Sequence, residues 1–360
     1  MEHRTKASLA AILALSVAAC GGESPAGPNP GTVNPAEGWI VFVRDSADIY
    51  RIAAMRPSGD GLRFLSPPSP RSISRLRISG DGSRVVGYGD GRVLAVDSDG
   101  SNLVEFEAPA GFEIEHVSRN GQLLVWFHPA TISEQFFALA TTTTHGPDVT
   151  AVPISTGIQR IDGVAFHRSG LENRIVMSAR FEGSGFGSEL YSLRRDGSDV
   201  QRLTDNEEVV FEPLPDPDGR RIAFLTQPSV STSTQVILGV IDSGGASRII
   251  LGADDVGDSG WVRMKVWSRD GDKLLAWVTS RLSSSEGIWT VDESGASARN
   301  LIRSGLTPTA LAWSPRGDAL VMGVQGSGGG DLLLADGETG EITDLTRTQT
   351  VAETSPLWVE

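Results

Sequence analysis

The stretch Thr309 to Thr346, TALAWSPRGDALVMGVQGSGGGDLLLADGETGEITDLT, recurs in plan along almost the whole chain, and that recurrence limits the fold more than any other feature. Ala310 to Trp313 is a short apolar run, Ser314 to Gly317 is a tight-turn sequence, and Asp318 to Val324 is a second run of strand formers. After the glycine-rich gap Gln325 to Gly330, a second hairpin follows: Leu332 to Ala335, a turn at Asp336-Gly337, then Ile342 to Leu345. Four strands in about 45 residues is the spacing of one propeller blade.

The first strand and its turn return as Leu76-Arg77-Ile78-Ser79-Gly80-Asp81-Gly82, Glu115 to Gly121, Val164 to Gly170, Pro213 to Gly219 and Lys265 to Gly271. With Ala312 to Gly317, the closing glycines 82, 121, 170, 219, 271 and 317 are spaced by 39, 49, 49, 52 and 46 residues. Each copy leads into an apolar second strand, such as Arg84 to Tyr88, Arg221 to Thr226 or Lys273 to Val278. Third strands end in turns such as Ser98-Asp99-Gly100, Asp196-Gly197 and Glu293-Ser294-Gly295. The third copy is the weakest, because Phe136 to Thr144 runs into a threonine tract with no Asp-Gly turn.

The two ends of the repeat array are complementary. Trp358 lies 45 residues after Trp313, itself 46 after Trp267, so Ser355 to Glu360 reads as an inner strand without a blade of its own. Glu37 to Phe42 reads as the end of a turn and a second strand with its first strand missing. The expected fold is therefore all-β: a seven-bladed β-propeller of four-stranded antiparallel blades, closed by the C-terminal strand completing the first blade. Six or eight blades are the alternatives. Closure of this kind removes the free sheet edges that template aggregation, and 323 residues from Gly38 to Glu360 supply about 46 per blade.

The Ser-Pro-Asp-Gly-like turns, the Asp-Gly third turns and the Arg202-Leu203-Thr204 ending resemble the PD40 or TolB-type repeat of bacterial envelope proteins, across nearly all of 38–360. The resemblance implies a fold and says little of activity, since propellers host scaffolds and enzymes alike. The helical domain that precedes the propeller in TolB has no counterpart of sufficient length here.

Residues 1–19 have the layout of an export signal, with Arg4 and Lys6 before the apolar run Leu9 to Ala19, which is too short for a spanning helix. Val17-Ala18-Ala19-Cys20 resembles a lipobox, which implies acylation of Cys20, the sole cysteine, and cleavage before it. A free thiol at that site is the plainer reading, but it is a liability in an oxidising compartment. Gly21 stands where an aspartate would imply inner-membrane retention, so the outer membrane is the expected address. Residues 20–37 are rich in Gly, Pro and small polar side chains and read as a flexible tether; residues 38–360 form a single domain.

Formal charge is −14. Removing residues 1–19, with Arg4, Lys6 and Glu2, makes it −15, which repels nucleic acid. Gly257-Asp258-Ser259-Gly260 resembles the nucleophile motif of chymotrypsin-like proteases, yet the accompanying motifs are missing and an interblade linker is the better reading. Asp97 to Asn102 begins like a calcium loop, but its twelfth position is Ala108 instead of a bidentate Glu. His116, His128, His145 and His167 lack metal-ligand spacing. Oligogalacturonate lyases use a related propeller with a His-bound metal, so a converging His pair would imply that chemistry. Neither a catalytic set nor a cofactor is expected.

Trp267, Trp313 and Trp358 share one phase of the repeat, which predicts packing between blades. Trp261 precedes the strand; a stacking surface for sugars is one reading of it, and core or rim packing is the better one. Connectivity sends the tight turns to one rim of the ring. The other rim receives the long loops and the acidic linkers, with Glu207, Glu208, Asp254, Asp255 and Asp258. That second rim is the expected binding face for an envelope protein or polysaccharide, a cationic one included, because variable loops on a rigid scaffold carry recognition. The expected function is a lipid-anchored, non-catalytic binding scaffold of the cell envelope. A polysaccharide lyase or hydrolase, or a structural member of a Tol-Pal-like complex, are the alternatives.

Overall fold

The computed structural model describes residues 38–360 apart from 109–112, 128–135, 143–149, 154–156, 170–171, 184–186, 206–207, 228–234, 243–244, 258–259, 281–284, 304–305, 327–328 and 349. The signal segment, Cys20 and the tether lie outside the described residues.

Strands pair antiparallel into four-stranded sheets, seven of them among the described residues. One sheet joins the two ends of the propeller: Val351–Val359 pairs with Trp39–Ser46, setting Val359 opposite Trp39 and Trp358 opposite Ile40. We number this sheet blade 1. Blades 2 to 7 follow the chain, with inner strands Arg75–Ile78, Glu113–Val117, Ile158–Ser169, Val209–Pro215, Trp261–Trp267 and Pro308–Trp313. The expected closure by the C-terminal strand is what the structure has.

Seven apolar clusters lie between the sheets, each drawing on two consecutive blades, and the cluster holding Ile40, Phe42, Ala312, Val321 and Trp358 joins blade 7 to blade 1. Alternation along a strand explains the unbroken apolar runs of the sequence. In the second strand of blade 6, Leu274, Ala276 and Val278 face blade 5, while Leu275 faces blade 7. A sheet covered on both faces needs no polar side. The phase-matched tryptophans belong to this packing: Trp267, Trp313 and Trp358 are 7%, 5% and 6% exposed, and the indole N–H of Trp267 donates to the Leu214 carbonyl of blade 5 at 2.9 Å.

The repeated turn has a chemical reason. Ser79, Ser118, Ser268 and Ser314 each accept, at their hydroxyls, the backbone N–H five residues on, at 2.9 to 3.1 Å. Ser79 and Ser268 donate to Asp81 and Asp270 two residues on, and Ser118 to Asn120. The closing glycine returns its N–H to the carbonyl of the turn's first residue and adopts positive φ, 75° at Gly82 and 68° at Gly121, where a side chain is strained. The Leu-Thr endings have a role too. Thr204 and Thr346 hydroxyls accept the N–H of Leu190 and Leu332 at 2.9 and 3.0 Å, extending the ladder past short fourth strands, and Ser66 does the same for Ile52.

Candidate functional site

The inner strands surround an axial channel of about 1230 Å³. In six of the seven, the pairing with the second strand slips by a residue: around Glu115, Asp162, Glu212, Arg263, Thr309 and Ser355. All six of these residues line the channel. A bulge inserts an unpaired residue and re-aims its side chain; Glu212 and Ser355 even take φ of 51° and 53°, rare for residues with a Cβ. The result is a belt that reads, from blade 3 round to blade 1, Glu, Asp, Glu, Arg, Thr, Ser, with Arg75 and Arg77 of blade 2 between its ends.

Inside this belt lies Lys265, whose side chain is only 4% exposed and whose ammonium meets the Glu212 carboxylate at 3.3 Å. Burial pushes its pKa down, and the charges of Glu212 and Glu115 oppose that push. Burial raises the Asp162 carboxyl in turn, against Arg160 and Arg180. His116 is held to about 4 by burial and by Arg77, so its ring is neutral at physiological pH. Its Nδ1 accepts the Phe166 N–H at 3.4 Å.

One end of the channel is crossed by the tight turns. Arg119 of blade 3 pairs with Asp218 of blade 5 and donates to the Pro217 carbonyl at 3.3 Å. Arg269 of blade 6 donates to the Asp81 carbonyl of blade 2 at 3.0 Å and lies 3.4 Å from the Glu360 carboxylate. Gly80 leaves room for this meeting, since a Cβ there would stand 3.2 Å from the Pro217 carbonyl oxygen. These contacts across the axis narrow the channel at the tight-turn end.

Of the residues expected on the long-loop rim, Glu207 and Asp258 lie outside the described residues, as do His128 and His145. Glu208 is engaged within its blade, accepting from the Thr226 hydroxyl at 2.5 Å. Asp254 and Asp255 sit on a single helical turn, Ala253–Val256, where Asp255 accepts the Gly252 N–H at 2.9 Å. Trp261 packs on the blade 5–6 cluster with the Arg263 guanidinium 4.4 Å from its ring. His167 meets Ser192 at 2.8 Å, and among the described residues no group of three or more His, Cys, Asp or Glu is placed to hold a metal ion. Nor, among these residues, is any helix long and apolar enough to cross a membrane.

No signal in the apolar pattern marks the belt, because a bulge adds a residue without changing the run around it. Nor does the repeat phase fix it: Glu115, Asp162, Glu212, Arg263 and Thr309 stand 6, 8, 7, 8 and 8 residues before their closing glycines.

No protein-family model matches the sequence, and no curated protein matches it. Solved β-propellers do. TolB from Acinetobacter baumannii is 14% identical with a TM-score of 0.47, over 89% of this chain and 66% of its own, so this chain spans just under two thirds of that protein. An oligogalacturonate lyase in complex with manganese is 10% identical with a TM-score of 0.58, over 80% of this chain and 82% of its own. Oligogalacturonate lyase from Vibrio parahaemolyticus is 11% identical with a TM-score of 0.57, over 84% and 92%. The fold is the β-propeller that these proteins share.

Proposed function

We propose that the protein is a non-catalytic binding scaffold of the bacterial cell envelope, held to the outer membrane by a lipid on Cys20, and that its channel receives part of a partner protein or polysaccharide. The observation that carries this reading is the axial channel with a polar belt set into its wall by bulges. A purely structural ring needs neither: bulges interrupt the inner ladder, and an apolar axis would bury more surface. Glu208, Asp254 and Asp255 extend the site outward as an acidic collar, to which Glu207 and Asp258 belong by sequence alone, and Arg263, lying over Trp261, lines the channel wall.

Photocrosslinkers placed at Thr309 and Glu212, with Phe64 on the outer edge as control, test this in cells. One set of adducts shared by the two channel positions and absent from Phe64 supports the reading. Equal or absent capture at all three sinks it. Labelling with a radioactive fatty acid that survives Cys20→Ser would remove the anchor from the proposal.

A second reading, a propeller lyase or hydrolase acting on polysaccharide, has one observation in its favour: the amine of Lys265 is buried in the channel wall beside Glu212, and burial pushes its pKa down, the kind of perturbation found at catalytic amines. Chain cleavage of oligogalacturonate or another acidic polysaccharide by the purified protein, lost in Lys265→Met, would favour it. Inactivity with and without added divalent ions argues for the scaffold.

A further inference from the structure

The strand that closes the ring carries a carboxyl group that the channel does not use. Glu353 of Val351–Val359 lies opposite Arg44 of Trp39–Ser46 and is 0% exposed. It sits in the seam where blade 1 meets blade 7 and the third strand Gly329–Asp336 of blade 7 packs on the closing strand.

Its surroundings suit a neutral carboxyl better than a buried anion. The Thr348 hydroxyl lies 2.6 Å from Glu353 Oε2 and 2.7 Å from the Val351 carbonyl oxygen. A hydroxyl has one hydrogen, so it can donate to only one of these two acceptors. If Glu353 is protonated, its own O–H donates to the Thr348 oxygen, Thr348 donates to Val351, and both contacts are satisfied. Oε1 has no hydrogen-bond donor in good geometry, although Arg44 Nη1 stands 3.3 Å away. Asp331 on the blade 7 strand adds repulsion, and its carboxylate already accepts the Thr348 N–H at 3.2 Å. Thr346 also bonds the carboxyl. Arg347 of the adjoining linker is spent on Asp344, and Asp45 lies opposite Ala352, one step along the pairing.

We propose that Glu353 is a proton-controlled latch on ring closure: neutral, it fits the buried seam between the closing strand and blade 7; ionised, it puts a buried charge beside Asp331, with no donor at Oε1, and loosens that strand. Burial, opposed by Thr348 and Arg44 and helped by Asp331, raises its pKa from 4.5 to about 7. A raised carboxyl favours the closed form fully below pH 4.5, and that advantage is lost as pH rises to about 7, by at most about tenfold per unit, then stays flat. The latch is independent of what the channel binds.

Hydrogen exchange of the full-length protein between pH 5 and 8, corrected for intrinsic exchange rates, reads this directly. Protection of the Ala352, Glu353 and Thr354 amides should fall by about tenfold or more from pH 5 to 7 and then level, while Val176 and Met177 of blade 4 hold steady. Glu353→Gln, neutral at every pH, should abolish the fall. Asp331→Asn, which removes the neighbouring negative charge but keeps an acceptor for the Thr348 N–H, should move the levelling to lower pH. A wild-type profile without a fall, a fall retained in Glu353→Gln, or an unmoved levelling point in Asp331→Asn would each overturn the latch. If Glu353→Gln fails to fold, the wild type and Asp331→Asn still decide it.

Discussion

At the tight-turn end of the channel, Ser268, Asp270 and Gly271 close their hairpin within six residues, with hydrogen bonds repeated nearly atom for atom at Ser79, Asp81 and Gly82. Among the described residues at the long-loop end no such unit recurs. Asp255 caps one helical turn, Thr226 holds Glu208, and Arg263 lies over Trp261, each in a single blade. One end has its structure written locally, with the serine turn repeated in blades 2, 3, 6 and 7. The other is determined once per blade, which leaves it free to differ, and difference is what recognition needs.

The contrast breaks most severely if the packing under the tight turns is removed. Trp313→Ala empties a site 5% exposed between blades 6 and 7, and replacements of this kind cost about 3–5 kcal/mol. Chemical denaturation should show that loss, together with faster exchange at the blade 6–7 seam. A cost below about 1 kcal/mol would mean that the seam collapses onto the void and that tryptophan periodicity is not what aligns the blades.

A smaller effect tests the turn itself. Gly121 has φ of 68°, and a Cβ there would meet the Arg84 Cβ at 2.4 Å. Gly121→Ala combines strain with a clash and should destabilise by about 1–3 kcal/mol. An equivalent change at Gly183, with φ of 86° but nothing near its would-be Cβ, should cost less. Equal costs would show that backbone conformation alone, and not the meeting of neighbouring blades, sets the requirement for glycine.

This division also explains what could be read in advance. Blade plan, closure by Trp358 beside Ile40 and the packing of Trp267, Trp313 and Trp358 were legible because each depends on a period: two along a strand, about 46 along the chain. The belt was not. Glu115, Asp162 and Glu212 reach the channel through slips in pairing, and pairing involves a second strand that a one-dimensional pattern does not show. Lys265 looked like one more polar residue in an inner strand, and its burial follows from the narrowing of seven strands toward an axis. Glu208, Asp254 and Asp255 do lie between blades, and Glu208 and Asp255 spend their carboxylates on local hydrogen bonds that the sequence does not show.

Acid should separate the ends further. Burial raises the carboxyls of Asp81 and Asp270, but hydrogen bonds from Ser83 and Ser79, and from Ser268 and Asp272, outweigh it and hold both below the usual value. A lowered carboxylate adds stability above its unfolded pKa of 3.8, and that stability is lost as pH falls through the folded value. Glu353 works in the opposite sense between pH 4.5 and about 7. Acidification from neutrality should therefore first tighten the closing strand, then, below about pH 4, weaken the tight turns. Monitoring amides of both regions by exchange checks the order, and simultaneous loss in both would erase the distinction.

The smallest effect on stability falls on the outermost residues. Asp254→Lys with Asp255→Lys reverses two charges at the long-loop mouth and removes only the bond to the Gly252 N–H, so stability should shift by no more than about 1 kcal/mol. Binding should respond differently. If the channel takes a cationic partner, the double variant should slow its association, and the slowing should fade as salt rises, because rim charges act over a Debye length of about 10 Å at 0.1 M. An anionic partner would associate faster with the same variant. Unchanged capture at every ionic strength would leave the collar without a part in recognition and confine the site to the belt of bulged residues, where Glu212 and Lys265 would then have to supply the selectivity alone.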